Sequence, residues 1–194
     1  MKKLLLFLIA FCPLFSLGQN RVSVTPTPPM RTTHTNDQGV SGHYAGWLNG
    51  KLWTMGGCNF PGISCADGGQ KVFYPSAYGA SVQVADGVVV IGGTDGASSI
   101  AKCCLKPSLG ADYVSLPSLP KGLDNFAAAY HNGIIYVAGG QSNGVPNNEV
   151  YSLAYPIADT VWTHLATMPD SCRLQPCLIV QNTAKGNSLF VFGG

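Results

Sequence analysis

The sequence predicts an all-β fold built from a repeated hairpin unit, and three observations support this prediction. First, only 10% of the 194 residues are charged and 24 are glycine, which is typical of packed β-structure rather than disorder. Second, runs rich in Val, Ile, Tyr and Phe, which favour strands, follow short turn sequences. Third, the unit recurs four times, and each copy ends in a Gly-Gly pair, at residues 56–57, 92–93, 139–140 and 193–194.

Each copy consists of an apolar strand, a tight turn, a second apolar strand and the glycine pair. The turns of three copies are Asn49-Gly50, Asp86-Gly87 and Asn132-Gly133, and such pairs supply positive φ at both centres of a hairpin turn. The second strands are almost continuously apolar, which predicts strands covered on both faces. The glycine pairs let two backbone segments pass where side chains would collide.

The spacing of the copies predicts the architecture. The second glycines stand at 57, 93, 140 and 194, so the intervals are 36, 47 and 54 residues. A period of roughly fifty residues with four strands per unit predicts a kelch-type β-propeller. In the third unit, residues 150–153 and 161–165 supply the outer strands. The first interval is short, so we expect that its blade lacks outer strands or that these strands are missing from this sequence. A β-sandwich also has many short strands, but it does not repeat this hairpin unit.

The N-terminus reads as an export signal followed by a leader. Lys2 and Lys3 precede a short apolar run, and small residues at 16 and 18 predict cleavage before Gln19. Residues 1–18 are therefore predicted to be a signal peptide, 19–40 a Pro- and Thr-rich leader, and 41–194 the repeats. The apolar run is too short for stable membrane insertion. We expect an exported protein, periplasmic or secreted.

Charge and cysteine content narrow the classes of partner. Nine basic and nine acidic residues remain after residues 1–18 are removed, so no basic surface for nucleic acid is expected. Export allows disulfides between Cys58 and Cys65 or between Cys172 and Cys177, whereas a bond between the adjacent Cys103 and Cys104 would be strained. Free thiols in the sheet core are the alternative for the cysteines. The sequence contains no C-x-x-C pair that would suggest a metal site.

Several segments carry a resemblance to a known family. Residues 39–46 read Gly-Val-Ser-Gly-His-Tyr-Ala-Gly, residues 56–61 read Gly-Gly-Cys-Asn-Phe-Pro, and Gly-Gly-Gln-Lys-Val-Phe-Tyr and Ala-Tyr-Gly follow at 68–74 and 77–79. These segments resemble the circularly permuted branch of the sialic acid mutarotase family, also called N-acetylneuraminate epimerases. Residues 124–128 and 173–176 are similar to later family segments, although Ser76 stands where the family usually has Arg.

The resemblance implies a six-bladed ring, of which residues 39–194 supply about three to four blades. It also implies that a proposed catalytic Glu and Arg lie in blades beyond Gly194. The catalytic residues are therefore unassigned, and we expect the incomplete propeller to be inactive alone. The resemblance implies an isomerase that interconverts anomers of N-acetylneuraminate.

Mutarotation of a 2-keto sugar acid requires one group that removes the anomeric hydroxyl proton and another that protonates the ring oxygen. A cation should bind the substrate carboxylate, ideally a two-pronged Arg. The reaction requires no cofactor and no metal, and the expected partner is a small sugar acid. A copper radical oxidase is disfavoured because no paired His and Tyr ligand set is visible.

Substrate-binding candidates follow from the predicted blade positions. They are Arg173, Gln175, Asp124, Asn125, Asn59, His43 and Tyr78. Arg173 is the carboxylate candidate, and Asp124 and Asn125 are candidates for sugar hydroxyls, although turn capping is the alternative for both. The competing function is a non-catalytic kelch-repeat module that binds a glycan or a protein, because fold alone does not decide activity.

Overall fold

The structure is a computed structural model that describes residues 39–156, 161–169, 172–184 and 186–194. The predicted signal peptide, and the leader up to residue 38, lie outside the described residues. Among the described residues, no helix has the length and apolar character needed to cross a membrane.

Sixteen strands and one short 3₁₀ turn, at Cys65–Asp67, form the described chain. The strands are β1 (Tyr44–Leu48), β2 (Lys51–Met55), β3 (Cys58–Asn59), β4 (Val72–Phe73), β5 (Ala80–Val84), β6 (Gly87–Ile91), β7 (Cys103–Lys106), β8 (Val114–Leu116), β9 (Ala127–His131), β10 (Ile134–Ala138), β11 (Gln141–Ser142), β12 (Val145–Pro146), β13 (Glu149–Ala154), β14 (Thr163–Thr167), β15 (Cys177–Thr183) and β16 (Gly186–Phe192).

The strands group into four antiparallel blades in chain order. Blade I is the β1–β2 hairpin, and blade IV is the β15–β16 hairpin. Blade II is the sheet β5-β6-β7-β8, and blade III is the sheet β9-β10-β13-β14. Two small hairpins, β3–β4 and β11–β12, follow the glycine pairs of blades I and III. The fold is therefore all-β, and its blades are those of a kelch-type β-propeller, as predicted.

Blade I is reduced to its inner hairpin. Within the described ranges, β2 pairs with β1 alone, and the chain then runs through β3, the 3₁₀ turn and β4 to blade II. This arrangement confirms the expectation that the 36-residue interval lacks outer strands. The β3–β4 hairpin occupies that interval, and Cys58 pairs with Phe73 in it.

Two of the predicted turns have the expected backbone, and one does not. Asn49 and Asn132 have φ of 53° and 47°, and each pairs with its glycine in a two-residue loop. The prediction for Asp86 is wrong, because Val84 pairs with Gly87 and the loop is residues 85–86. Gly87 lies instead at the start of β6, with φ 152°, where a Cβ would lie 2.3 Å from the carbonyl oxygen of Lys106.

The blades pack face to face through two apolar clusters. The larger cluster joins blades II and III and includes Val89, Ile91, Ile135 and Val137. All five residues of β6 are buried, which agrees with the prediction of strands covered on both faces. The smaller cluster joins blade III to blade IV, where Leu178 and other apolar side chains pack on β9 and β10.

The glycine pairs connect each blade to the next one. In the first three pairs, the second glycine donates its N–H to a carbonyl in the following blade, in the bonds Gly57 to Ser76 (2.7 Å), Gly93 to Leu123 (2.8 Å) and Gly140 to Arg173 (2.8 Å). A Cβ on the first glycine of these three pairs would lie only 2.2–2.8 Å from the same carbonyl oxygen. The pairs therefore permit the close backbone contact that the sequence predicted.

The six described cysteines are free thiols. Cys58 is buried beside Ser41, with 3.4 Å between Sγ and Oγ, whereas Cys65 is exposed. The disulfide candidates are not formed, and the alternative of free thiols holds. Burial raises the pKa of Cys103 to about 12, so this thiol stays protonated inside blade II.

Candidate functional site

A short loop leads into the first strand of every blade, and its third residue has an unusual backbone. These leading loops are residues 40–43, 76–79, 123–126 and 173–176. The third residues are Gly42, Tyr78, Asn125 and Gln175, each two positions before a strand, and their φ values are 63°, 58°, 54° and 53°. Tyr and Gln rarely adopt left-handed backbone, and such strain concentrates at functional sites.

These four residues form a main-chain ladder from blade to blade. The N–H of Tyr78 donates to the carbonyl oxygen of Gly42 (2.8 Å), that of Asn125 to Tyr78 (2.7 Å) and that of Gln175 to Asn125 (2.6 Å). In the ladder, Tyr78 and Asn125 each donate to one neighbour and accept from the other, whereas Gly42 only accepts and Gln175 only donates. The ladder also brings side chains from successive blades to one place.

Two pockets open on this ladder and share part of their walls. The ladder pocket has a volume of about 400 Å³ and is lined by leading-loop residues of all four blades. The side pocket has a volume of about 280 Å³ and is lined by Phe73, Asp124, residues 96–99 and several other residues of blades II and III. Tyr78 and Asn125 line both pockets.

Asp124 organises the wall between the blades. Its buried carboxylate accepts hydrogen bonds from Ser99 Oγ (2.5 Å), Asn125 Nδ2 (2.5 Å) and Gln141 Nε2 (2.9 Å). Because Asn125 Nδ2 donates to Asp124, its Oδ1 accepts from Gln175 Nε2 at 2.8 Å. The carboxylate therefore sets the orientation of the amides at the pocket. Its three hydrogen bonds also satisfy the general requirement that a buried polar group be paired.

A lysine that the sequence did not single out lies beside Tyr78. Lys71 Nζ donates to the Tyr78 hydroxyl at 2.6 Å and lies 4.7 Å from the Tyr78 ring centroid. The thiol of Cys58 is 3.3 Å from the same hydroxyl. The hydrogen bond with Tyr78 raises the pKa of Lys71 above its usual 10.5, so Lys71 is a cation at neutral pH.

The other predicted site residues lie outside both pockets. Arg173 uses its carbonyl to accept from Gly140, and its guanidinium Nη1 donates to the carbonyl of Gly193 at 3.1 Å. Asn59 accepts a hydrogen bond from the Tyr74 hydroxyl at 2.8 Å, and His43 is exposed at the start of blade I. Ligand contacts by Arg173, Asn59 and His43 remain predictions.

Four predicted residues do come together at the ladder, and these are Tyr78, Asp124, Asn125 and Gln175. Their groups are a phenol, a buried carboxylate and two amides, which suit the hydroxyl and amide groups of a sugar. Across the parts of the chain that the structure describes, no cluster of three or more His, Cys, Asp or Glu residues could hold a metal ion.

Comparison with known proteins supports the repeat architecture. Residues 123–169 match the family model described as the Kelch motif. The match begins in the leading loop of blade III and continues through β14, so it covers one complete blade. No curated protein matches the chain.

Proposed function

We propose that this kelch-repeat module is a sialic acid mutarotase-like protein that binds an acidic sugar at the ladder pocket. In this proposal it interconverts the sugar's anomers by acid/base ring opening. The observation that carries the proposal is the convergence of Tyr78, Asn125 and Gln175 on one pocket, with the cationic Lys71 bound to Tyr78. The resemblance of residues 39–194 to sialic acid mutarotases supplies the substrate class.

The chemistry of these groups suits a carboxylated sugar. The amides of Asn125 and Gln175 offer donors and acceptors to hydroxyl groups. The Tyr78 phenol, which is hydrogen-bonded to Lys71, can donate a proton to the ring oxygen while a base removes the anomeric proton. The ring C–O bond then breaks to the open keto form, and reclosure in the reverse sense gives the other anomer.

The test is exchange between the two anomers of N-acetylneuraminate, followed by NMR in the presence of a purified six-bladed propeller that includes residues 39–194. We expect catalysed exchange that falls by about tenfold in Asn125→Ala and Gln175→Ala, because each loses a hydrogen bond to the sugar. Asn187→Ala, an exposed amide on β16, is the matched control and should exchange like the wild type. Exchange at the uncatalysed rate with the wild type contradicts mutarotase activity.

A second candidate is a non-catalytic kelch-repeat module that binds a glycan or a protein. The specific observation that favours it is the buried Asp124, whose carboxylate already accepts three hydrogen bonds and so presents no vacant base to a ligand. Saturable binding of the sugar without faster anomer exchange would support this candidate. Binding together with faster exchange would support the mutarotase.

A further inference from the structure

We infer that Lys71 binds the carboxylate of the acidic sugar, at the wall that the ladder pocket and the side pocket share. This inference rests on the proposed function and deepens it by assigning the cation of the site. It moves the carboxylate contact from Arg173, in the leading loop of blade IV, to Lys71, just before β4.

The position of the Lys71 ammonium is set by contacts with two aromatic rings. Nζ lies 2.6 Å from the Tyr78 hydroxyl, 4.7 Å from the Tyr78 ring centroid and 5.7 Å from the Phe73 ring centroid. Tyr78 lines both pockets, and Phe73 lines the side pocket. A cation over aromatic faces at these distances is attracted to them, so the ammonium is held beside Tyr78, a side chain that lines both pockets.

The ammonium also has capacity for a further partner. It carries three N–H donors, of which the Tyr78 hydroxyl accepts one and the Cys58 thiol accepts a second, so one donor is left for a ligand. The ion pair found in the described part of the chain joins Lys121 to Glu149, so no described carboxylate neutralises Lys71. A ligand carboxylate can therefore supply the missing negative charge.

Arg173 is in a different situation. Its guanidinium donates to the Gly193 carbonyl. Neither Arg173 nor Lys71 is among the residues that line the two pockets, but the Lys71 ammonium contacts the hydroxyl of Tyr78, which lines both. The geometry therefore favours Lys71 as the carboxylate-binding residue.

This placement also orients the ligand. With its carboxylate on Lys71, a sugar ring lies against the amides of Asn125 and Gln175 in the ladder pocket. The polyhydroxy chain of a nine-carbon sugar acid then points to the side pocket, whose walls include Thr94, Ser98 and Ser99. A neutral sugar of the same shape lacks the group that Lys71 binds.

The experiment compares the affinities of N-acetylneuraminate and its uncharged methyl ester, measured by calorimetry on the full chain. We expect the wild type to prefer the acid by about tenfold or more, the scale of one hydrogen bond to a charged group. Lys71→Gln should abolish the preference, and Lys71→Arg should retain most of it. Lys51→Gln, at an exposed lysine in blade I, is the matched control and should behave as the wild type.

The preference should also hold across a range of pH. Because hydrogen bonding with Tyr78 raises the pKa of Lys71, the cation persists, and the sugar carboxylate is ionised, from about pH 6 to about pH 9. The acid-over-ester preference should therefore stay constant in this range. A preference that disappears below pH 9 overturns the assignment to Lys71.

The outcomes separate this inference from the function on which it rests. If Lys71→Gln still prefers the acid while Arg173→Gln does not, the inference is overturned and the proposed function stands. If the wild type shows no saturable binding of N-acetylneuraminate, the proposed function fails and the inference fails with it. Loss of the preference in Lys71→Gln alone, with the ester affinity unchanged, supports the inference and the acidic-sugar site of the proposed function.

Discussion

At the scale of single residues, Asp124 is the group on which the candidate site depends. Its side chain is 3% exposed, and its two oxygens accept from a hydroxyl and two amides. Burying a carboxylate away from water costs much folding free energy unless the group is hydrogen-bonded. Each hydrogen bond observed here also orients a residue that lines a pocket. The stability of blade III and the shape of the site therefore depend on one side chain.

We expect Asp124→Ala to lower the free energy of unfolding by about 1–3 kcal/mol, because it leaves the donors of Ser99, Asn125 and Gln141 without their acceptor. Urea denaturation followed by tryptophan fluorescence measures this loss. Asp112→Ala, at an exposed position, is the control and should change stability by less than about 0.5 kcal/mol. Equal effects of the two substitutions would show that the Asp124 hydrogen bonds do not stabilise the fold.

At the scale of elements, blade I docks on blade II through the inward face of β1. Tyr44 and Leu48 are buried on this face, and Gly46 lies between them in the strand. The Tyr44 hydroxyl donates to the Gly92 carbonyl at 2.6 Å, and burial raises the pKa of Tyr44 to about 12. Gly46 faces Val88, and a Cβ there would lie 2.3 Å from Val88 Cγ2. Glycine therefore sets how closely β1 approaches β6.

Gly46→Ala should destabilise the protein by about 1–3 kcal/mol, because the methyl group overpacks the contact with Val88. In a strand interior alanine is otherwise more stabilising than glycine. A loss of stability in Gly46→Ala would therefore identify the steric contact as its cause. Adding Val88→Ala should recover part of the loss. Gly110→Ala, where a Cβ meets nothing within 4 Å, should be close to neutral in the same thermal melts, and a loss there as large as at Gly46 would contradict the steric argument.

At the scale of the whole chain, successive blades bury faces on each other, as repeat units do. Blade IV packs Leu178 and Leu189 against blade III. The opposite face of the same hairpin exposes Ile179, Phe190 and Phe192, the last of which is 48% exposed. Phe190 and Ile179 are directly paired across the hairpin, so this face is a continuous apolar surface.

Adjacent residues of β16 should therefore respond in opposite ways to substitution. Phe190→Thr should reduce self-association with little change in stability, because exposed apolar strands promote association. Leu189→Thr should instead cost about 1–2 kcal/mol, since it removes apolar contact with blade III. Light scattering and thermal melts measure the two effects, and equal effects on both would contradict the assignment of the two faces.

Local chemistry explains which parts of the fold could be predicted from the sequence. The turns at Asn49 and Asn132 and the glycine pairs follow from backbone preferences within a few residues, and the structure confirms them. The Asp86 turn differs because its register depends on a non-local contact of Gly87 with Lys106. Asp86 itself accepts a hydrogen bond from the distant Tyr155 hydroxyl at 2.8 Å.

The candidate site was harder to predict because the ladder joins residues that are far apart in sequence. The leading loops read Val-Ser-Gly-His, Ser-Ala-Tyr-Gly, Leu-Asp-Asn-Phe and Arg-Leu-Gln-Pro, so no shared motif marks them. Lys71 approaches Tyr78 only because the β3–β4 hairpin folds back beside the leading loop of blade II. The direction of the Arg173 side chain also depends on a contact, with Gly193, that sequence does not reveal.

The main-chain nature of the ladder has a consequence for how ligand selectivity can change. The bonds among Gly42, Tyr78, Asn125 and Gln175 use only N–H and C=O groups, so three of the four side chains can vary without breaking them. Gly42 is the exception, because a Cβ there would lie 2.7 Å from the Tyr78 ring. Residues that tolerate left-handed backbone, such as Asn, Asp and Gly, are the compatible replacements. Selectivity is thus modular: blades II, III and IV each contribute one exchangeable side chain, and recombination of these blades can alter one wall of the pocket at a time.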